Sequence, residues 1–252
     1  MAVRSAARRL LISTARDRTA ASASHSVLVL APHPDDETLG CGGRILLARR
    51  AGQLVTVVVA TDGAASHGAG EAGRDELRAL RSAELAAATA RLGLVPADLI
   101  ELGHPDGQLA QHRDQLADQL SRLLATIRPD EVYCTSAWES HPDHASAAIA
   151  LRQAVRQLDY RPRLFEYPIW LWADWPLSRR RLVSGLLQLL ALVAGRRASI
   201  VRLDAVRAEK ELAVAEYRSQ LGDPVDGTVT ALPAAVLDRS RTGPELFFRI
   251  TR

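Results

Sequence analysis

"SVLVLAPHPDDETLG", residues 26–40, joins two patterns that rarely meet. An unbroken apolar run, "VLVLA", ends in Pro32, and a histidine and three acidic residues (His33, Asp35, Asp36, Glu37) follow within five positions. A run apolar at every position, not at alternate ones, describes a strand covered on both faces, as in a parallel sheet. Further runs of this kind occur at 54–60 ("LVTVVVA"), 98–102 ("DLIEL") and 131–135 ("EVYCT"). Segments with helical spacing separate them at 38–51, 74–92, 112–127 and 143–158. Strands alternating with helices of this length predict βαβ units with right-handed crossovers. The expected fold class is therefore α/β: Rossmann-like, a mostly parallel sheet flanked by helices.

In such a sheet, ligands bind beyond the carboxyl ends of the strands, where the strand order reverses. For the order 3-2-1-4 that crevice lies between the loops after the first and fourth strands, so the active site is expected at the carboxyl ends of strands 1 and 4. The first loop carries "PHPDDE"; the fourth is "SAWESHPDHAS", residues 136–146, with His141, Asp143 and His144. The topology thus brings two His/Asp clusters together.

A catalytic zinc site takes three protein ligands, commonly histidine and carboxylate, and leaves a fourth position for water. His33 and Asp36, three apart on a turn entering a helix, can point the same way, and His144 supplies a third ligand from across the crevice. Two histidines and a carboxylate also suit iron(II), so Zn2+ is the expected cofactor with Fe2+ as the alternative. Asp35, between two proposed ligands but directed differently, suits a general base. His141 is placed to polarise a carbonyl or to protonate a leaving nitrogen. Glu37 reads as a helix cap that complements the dipole. "GCGG", residues 40–43, lacks the full dinucleotide fingerprint and is explained by close packing of a helix on the sheet.

Composition narrows the class. The chain has 252 residues, 47% of them hydrophobic, enough for one domain with a full core. Its net charge of +3 rests on scattered arginines, Lys210 being the only lysine, and no aromatic residues interleave with them. Nucleic acid is therefore not an expected partner. Two cysteines, Cys41 and Cys134, make neither a disulfide framework nor a metal spacing and suit the reducing cytoplasm. Residues 1–24 read as a mobile or surface-packed arm, and 25–252 as a single domain. A helical insertion is expected at about 177–197, around the arginine-flanked apolar run "LVSGLLQLLALVAG" (182–195). Spanning a bilayer takes roughly 20 apolar residues, so burial against the core or a second subunit, giving a homo-oligomer, is expected over a membrane surface.

At these residues the sequence resembles the PIG-L or LmbE-like N-acetylglucosaminyl deacetylases, over most of residues 26–170. "PHPDDE" and "HPDH" (141–144) carry the resemblance, supported by "TDG" (61–63), "RSAELAAATARLG" (81–93) and "GHPDGQL" (103–109). By position, the resemblance implies zinc ligands at His33, Asp36 and His144, a base at Asp35 and an electrostatic or acid histidine at His141. It also implies that Asp143 orients a histidine. It further implies hydrolysis of the acetamide of an amino-sugar conjugate, giving amine and acetate.

The resemblance also implies that Asp106 falls on a loop at the rim of the site, as a contact for sugar hydroxyls; by itself it reads equally as an Asp-Gly turn. Arg81 and Glu84 match an "R-x-x-E" helix, bracing the site or, for Arg81, meeting substrate. His67 belongs to a glycine-rich loop, 62–73, that reads as a lid, and Arg74, at its end, as a substrate contact. Three tryptophans in "FEYPIWLWADWP" (165–176) suit core packing or the apolar side of a sugar ring. Two alternative functions stand beside deacetylation: an amidase acting on a larger N-acyl or peptide-like amide, and a metal-bearing sugar-binding protein without turnover.

Overall fold

The central strands of the sheet offer apolar side chains to both of its faces. In the computed structural model, which describes residues 2–65, 71–174, 197–221 and 232–250, eight strands pair among the described residues. They are β1 (Arg16–Asp17), β2 (Val27–Ala31), β3 (Val55–Thr61), β4 (Leu99–His104), β5 (Glu131–Thr135), β6 (Arg163–Tyr167), β7 (Ala198–Val201) and β8 (Glu245–Arg249). Their order is β1-β7-β8-β6-β5-β2-β3-β4. β8 runs antiparallel to β6 and β7, and the other pairs are parallel.

The four strands expected from sequence stand in the expected order, β4-β3-β2-β5. β2 pairs with β3 on one side (Val27↔Val55) and β5 on the other (Val27↔Glu131), which makes the gap between β2 and β5 the switch point. Alternate residues of β2 serve two separate cores. Val27, Val29 and Ala31 join Leu39 and Ile45 of α2 (Asp36–Arg50), Leu85 and Ala88 of α3 (Glu71–Arg91), and Leu92 just after it. Leu28 and Leu30 join Leu116, Leu120 and Leu124 of α4 (Arg113–Ile127) and Ala147 and Leu151 of α5 (Pro142–Ala154).

The glycines of "GCGG" let α2 sit close to its neighbours. A Cβ at Gly40 would fall 2.2 Å from the Tyr167 ring, and one at Gly43 would fall 2.1 Å from Leu203. An ion pair, Lys210 Nζ to Glu245 Oε1 at 2.7 Å, reaches into the middle of this helix. Glu245 accepts from the Gly43 and Arg44 amides and Lys210 donates to the Leu39 carbonyl, so both buried charges have partners.

The N-terminal segment packs on the sheet. In α1 (Ala2–Thr14), Leu11 is 1% exposed among Ile200, Leu246 and Phe248, and β1 adds an edge strand to β7. Arg18 and the Ser22 carbonyl then enter a buried cluster around Glu131, whose carboxylate also accepts from Tyr133 Oη at 2.6 Å and from Arg44 Nη2 at 3.1 Å. Residues 177–196 of the expected insertion, with the apolar run 182–195, lie outside the described residues. No described helix is long and apolar enough to cross a membrane. Both cysteines are buried and free.

Candidate active site

Pro32 ends β2 and His33 follows it at the mouth of the switch point, while His141 caps the N-terminus of α5 beyond β5. His33 Nδ1, Asp36 Oδ2 and His144 Nε2 form a triangle with edges of 3.3, 3.2 and 3.2 Å. Three corners of a tetrahedron whose centre holds a metal at 2.0 Å stand about 3.3 Å apart. All three side chains are buried. The donor set, two imidazole nitrogens and one carboxylate oxygen converging on one point, fits a divalent metal ion. The His33 amide donates to the same Asp36 oxygen at 3.0 Å, which locks that carboxylate toward the centre.

The charge around His33 gives a second reason for a cation here. Its Nε2 faces Asp106 Oδ1 at 3.1 Å and Asp143 Oδ2 at 3.3 Å. Burial would lower the His33 pKa, but Asp106, Asp143 and Asp36 outweigh it and hold it well above the ordinary value. Burial works against the Asp36 carboxylate too, yet His144 and His33 keep its pKa well below the usual range. The group as a whole favours positive charge at its centre. Asp143 is fixed in turn by the amides of Gly107 (2.7 Å) and Leu109 (3.0 Å). Asp106, expected at the rim, also turns inward to His33 and accepts the Ala65 amide at 3.0 Å.

Asp35 points elsewhere, toward Arg81. Its φ of 131° lies in a region that L-residues avoid, a conformation that costs of order 1–3 kcal/mol and persists only where its surroundings impose it. Glu37 accepts the Asp35 amide at 3.1 Å and also binds the Tyr217 hydroxyl, so this glutamate braces the turn as well as standing at a helix start. Arg81, 2% exposed, donates to Asp35 Oδ2 (3.0 Å), to the Pro34 carbonyl and to the Gly63 carbonyl. Burial raises the Asp35 carboxyl well above the carboxylate range, with Arg81 opposing and Asp36 adding to the rise. A side chain that releases a proton less readily is better suited to taking one up.

His141 accepts the Asp143 amide at Nδ1, which leaves the ring proton on Nε2 in the neutral form. Burial, together with His33 and His144, lowers its pKa to about 4. It is therefore a neutral donor, suited to polarising a carbonyl. Its ring meets His33 edge-on at 4.7 Å and stacks on Trp170 at 6.0 Å.

These groups line a crevice of about 350 Å3, closed by Trp170, Gln220 and Leu232. The sequence-expected residues His33, Asp35, Asp36, Arg81, Asp106, His141 and His144 all face it, with Asp143 behind His33. Arg74 stands exposed on α3 and is not among the described residues lining the crevice. His67 lies outside the described residues. Arg81 and Glu84 do not brace each other: Arg81 turns to Asp35, while Glu84 accepts the Ser219 amide (2.8 Å) and hydroxyl (2.6 Å). The three tryptophans of the expected cluster part ways: Trp170 lines the crevice, Trp172 packs beneath Arg239, and Trp175 is outside the described residues. Gln220, Leu232 and Tyr217 escaped the sequence reading because the chain beyond residue 176 carries no pattern that points to them.

Residues 28–155, just over half of the chain, match the family PIG-L, described as GlcNAc-PI de-N-acetylase. A probable N-acetyl-alpha-D-glucosaminyl L-malate deacetylase 2 of Bacillus subtilis is 33% identical over 144 residues, 54% of this chain and 64% of that protein. A diacetylchitobiose deacetylase of Thermococcus kodakarensis is 30% identical over 132 residues, 51% and 48% of the two chains. The match thus spans less than two-thirds of these relatives. Among solved structures, a conserved protein from Thermus thermophilus aligns with a TM-score of 0.59 at 28% identity, covering 89% of this chain and 94% of that one. The N,N'-diacetylchitobiose deacetylase from Pyrococcus horikoshii shares the fold, with a TM-score of 0.65 at 20% identity over 90% and 84%.

Proposed function

Because the chain belongs to the PIG-L family, we propose that it hydrolyses the acetamide of an N-acetylglucosamine-type sugar conjugate to a free amine and acetate. The observation that supports this most is the triangle of His33 Nδ1, Asp36 Oδ2 and His144 Nε2, with the strained Asp35 beside it. A divalent ion held by those three side chains, Zn2+ or alternatively Fe2+, would supply Lewis acidity to the acetamide oxygen and acidify the attacking water.

The chain's own residues do the rest. Asp35 takes the proton from the water as its oxygen bonds to the acetamide carbon. His141, neutral and protonated on Nε2, hydrogen-bonds the acetamide oxygen as negative charge develops there. Asp35 then passes its proton to the departing nitrogen as the C–N bond breaks, so one water is consumed and no net proton remains on the protein. Asp106 and Asp143 hold the His33 ring, and Arg81 holds Asp35 at its orientation. A protein that only bound sugar would have no use for a strained carboxylate beside the cation site. Arg81, which donates to Asp35 and to the Pro34 and Gly63 carbonyls, braces Asp35, and Asp106 contacts substrate only with the oxygen faces left by His33 and Ala65.

The test is to incubate metal-replete protein with a panel of N-acetyl-amino-sugar conjugates and assay free amine and acetate in equal amounts. Release from N-acetyl substrates supports the reading. Turnover confined to longer N-acyl or peptide-like amides would replace it with the amidase reading.

A further inference from the structure

Glu139 belongs to neither His/Asp motif, yet it is a carboxylate buried to 4% exposure, two residues before His141. A buried carboxyl needs partners: burial pushes the pKa of Glu139 up to about 8, and the amides that oppose the rise are on another element. Its Oε1 accepts the Ile169 amide at 2.7 Å and its Oε2 accepts the Leu171 amide at 3.1 Å, with the Trp170 amide facing it as well. Successive backbone N–H groups around an anion form a nest, which fixes the conformation of the residues that supply them.

The residue in the middle of that nest is Trp170. Ile169 is buried in the core on one sheet face, and Leu171 in the cluster with Leu11 and Phe248. Trp170 between them turns to the crevice and stacks on His141, centroids 6.0 Å apart and planes 28° from parallel. His141 is thus held at two places: at Nδ1 by the Asp143 amide, and across its face by an indole whose backbone Glu139 clamps.

We propose that Glu139 is a positioning residue that fixes Trp170 against His141 and so sets the orientation of the His141 ring over the crevice. The consequence for turnover rests on the deacetylase reading; the structural link between Glu139 and Trp170 does not. A carboxylate can accept all of these amides. In Glu139→Gln one position becomes an NH2 that faces an N–H, and the clamp loosens with little change in volume.

Two measurements test this. The first is near-UV circular dichroism, in which the difference between wild type and Trp170→Phe isolates the Trp170 signal. That signal is lost in Glu139→Gln and largely restored in Glu139→Asp, while metal content stays at the wild-type level. The second is kinetic: Glu139→Gln and Trp170→Ala each lower kcat by about ten- to a hundredfold, the scale of a misplaced catalytic group, with a smaller change in KM. The double variant is then no slower than Trp170→Ala alone, because one acts through the other.

A Trp170 signal unchanged in Glu139→Gln, or a double variant that loses the product of the two effects, overturns the proposal. If Glu139→Gln does not fold, wild-type kcat in Trp170→Ala overturns it equally. A wild-type chain inactive on every acetamide would remove the deacetylase reading and leave the dichroism arm to decide the link.

Discussion

His33 Nδ1 and His144 Nε2 lie 3.2 Å apart, although 111 residues of chain separate them. Only one of two facing imidazole nitrogens can present a proton to the other, and Asp36 Oδ2 stands 3.3 and 3.2 Å from the pair. A shared cation satisfies all three atoms at once. We therefore expect one divalent ion per chain, zinc or iron, bound by His33, Asp36 and His144. Elemental analysis of wild type and His144→Ala checks it, and equal metal content in both would remove His144 from the site.

Asp35 is expected to act as the base without holding the ion. Asp35→Asn keeps the shape of the side chain and its contact with Arg81, so metal content and melting temperature stay close to wild type. Turnover drops by roughly a hundredfold or more, the usual contribution of a general base. Near-normal turnover in this variant would end the assignment.

Gly40→Ala places a methyl group against a ring that cannot retreat, because Tyr167 is fully buried and its hydroxyl donates to the Leu30 carbonyl at 2.9 Å. Overpacking of this kind costs about 1–3 kcal/mol. Gly43→Ala meets the end of a leucine side chain, which can change rotamer, and its cost is smaller. Urea denaturation of the two variants gives the order, and a Gly40→Ala protein as stable as wild type would contradict the packing described here.

Glu131 predicts a pH dependence of stability. Burial pushes its carboxyl pKa up, but the Tyr133 hydroxyl, Arg44 and Arg18 outweigh burial, and the folded-state pKa lies below the ordinary 4.5. The unfolded chain therefore binds the proton more readily, so this stabilisation is present above about pH 4.5 and is lost as pH falls through the folded pKa. Glu131→Gln loses about 3–5 kcal/mol at pH 7, the scale for one partner removed from a buried ion pair. The gap between wild type and variant narrows as the pH falls below 4.5. A gap that stays constant from pH 7 to pH 3 would exclude Glu131 as the source.

From its composition we propose that the apolar run 182–195, which lies outside the described residues, is covered by the protein's own core or by a second subunit and not by a membrane surface. Thirteen of its fourteen residues are uncharged and apolar or small, Gln188 being the exception, and such a surface left open would form an unusually large patch. Co-sedimentation with anionic vesicles at physiological salt, together with light scattering, decides it. Strong vesicle binding by a monomer would favour the membrane surface instead.

The strand order around the switch point was legible in the sequence because it follows from local pattern. Each strand is a short apolar run, each helix repeats at 3.6 residues, and right-handed crossovers leave few ways to assemble them. The same rules bring "HPDD" and "HPDH" to one crevice, where the three-residue spacing of His33 and Asp36, the topology and the family resemblance together suggested His33, Asp36 and His144 as one group. The strands β6 and β8, "RLFEY" and "ELFFR", were not among those read from the sequence.

What only the tertiary structure decided is where the second partner of each buried polar group comes from. Asp106 leaves the rim for His33, Glu84 reaches Ser219, Glu37 binds Tyr217, and Glu139 clamps the turn that carries Trp170. Local sequence specifies that a carboxylate is present and which element holds it. Its partner is set by which donors lie within about 3 Å once distant segments pack, and a shift of a few ångströms between elements would reassign every one of them.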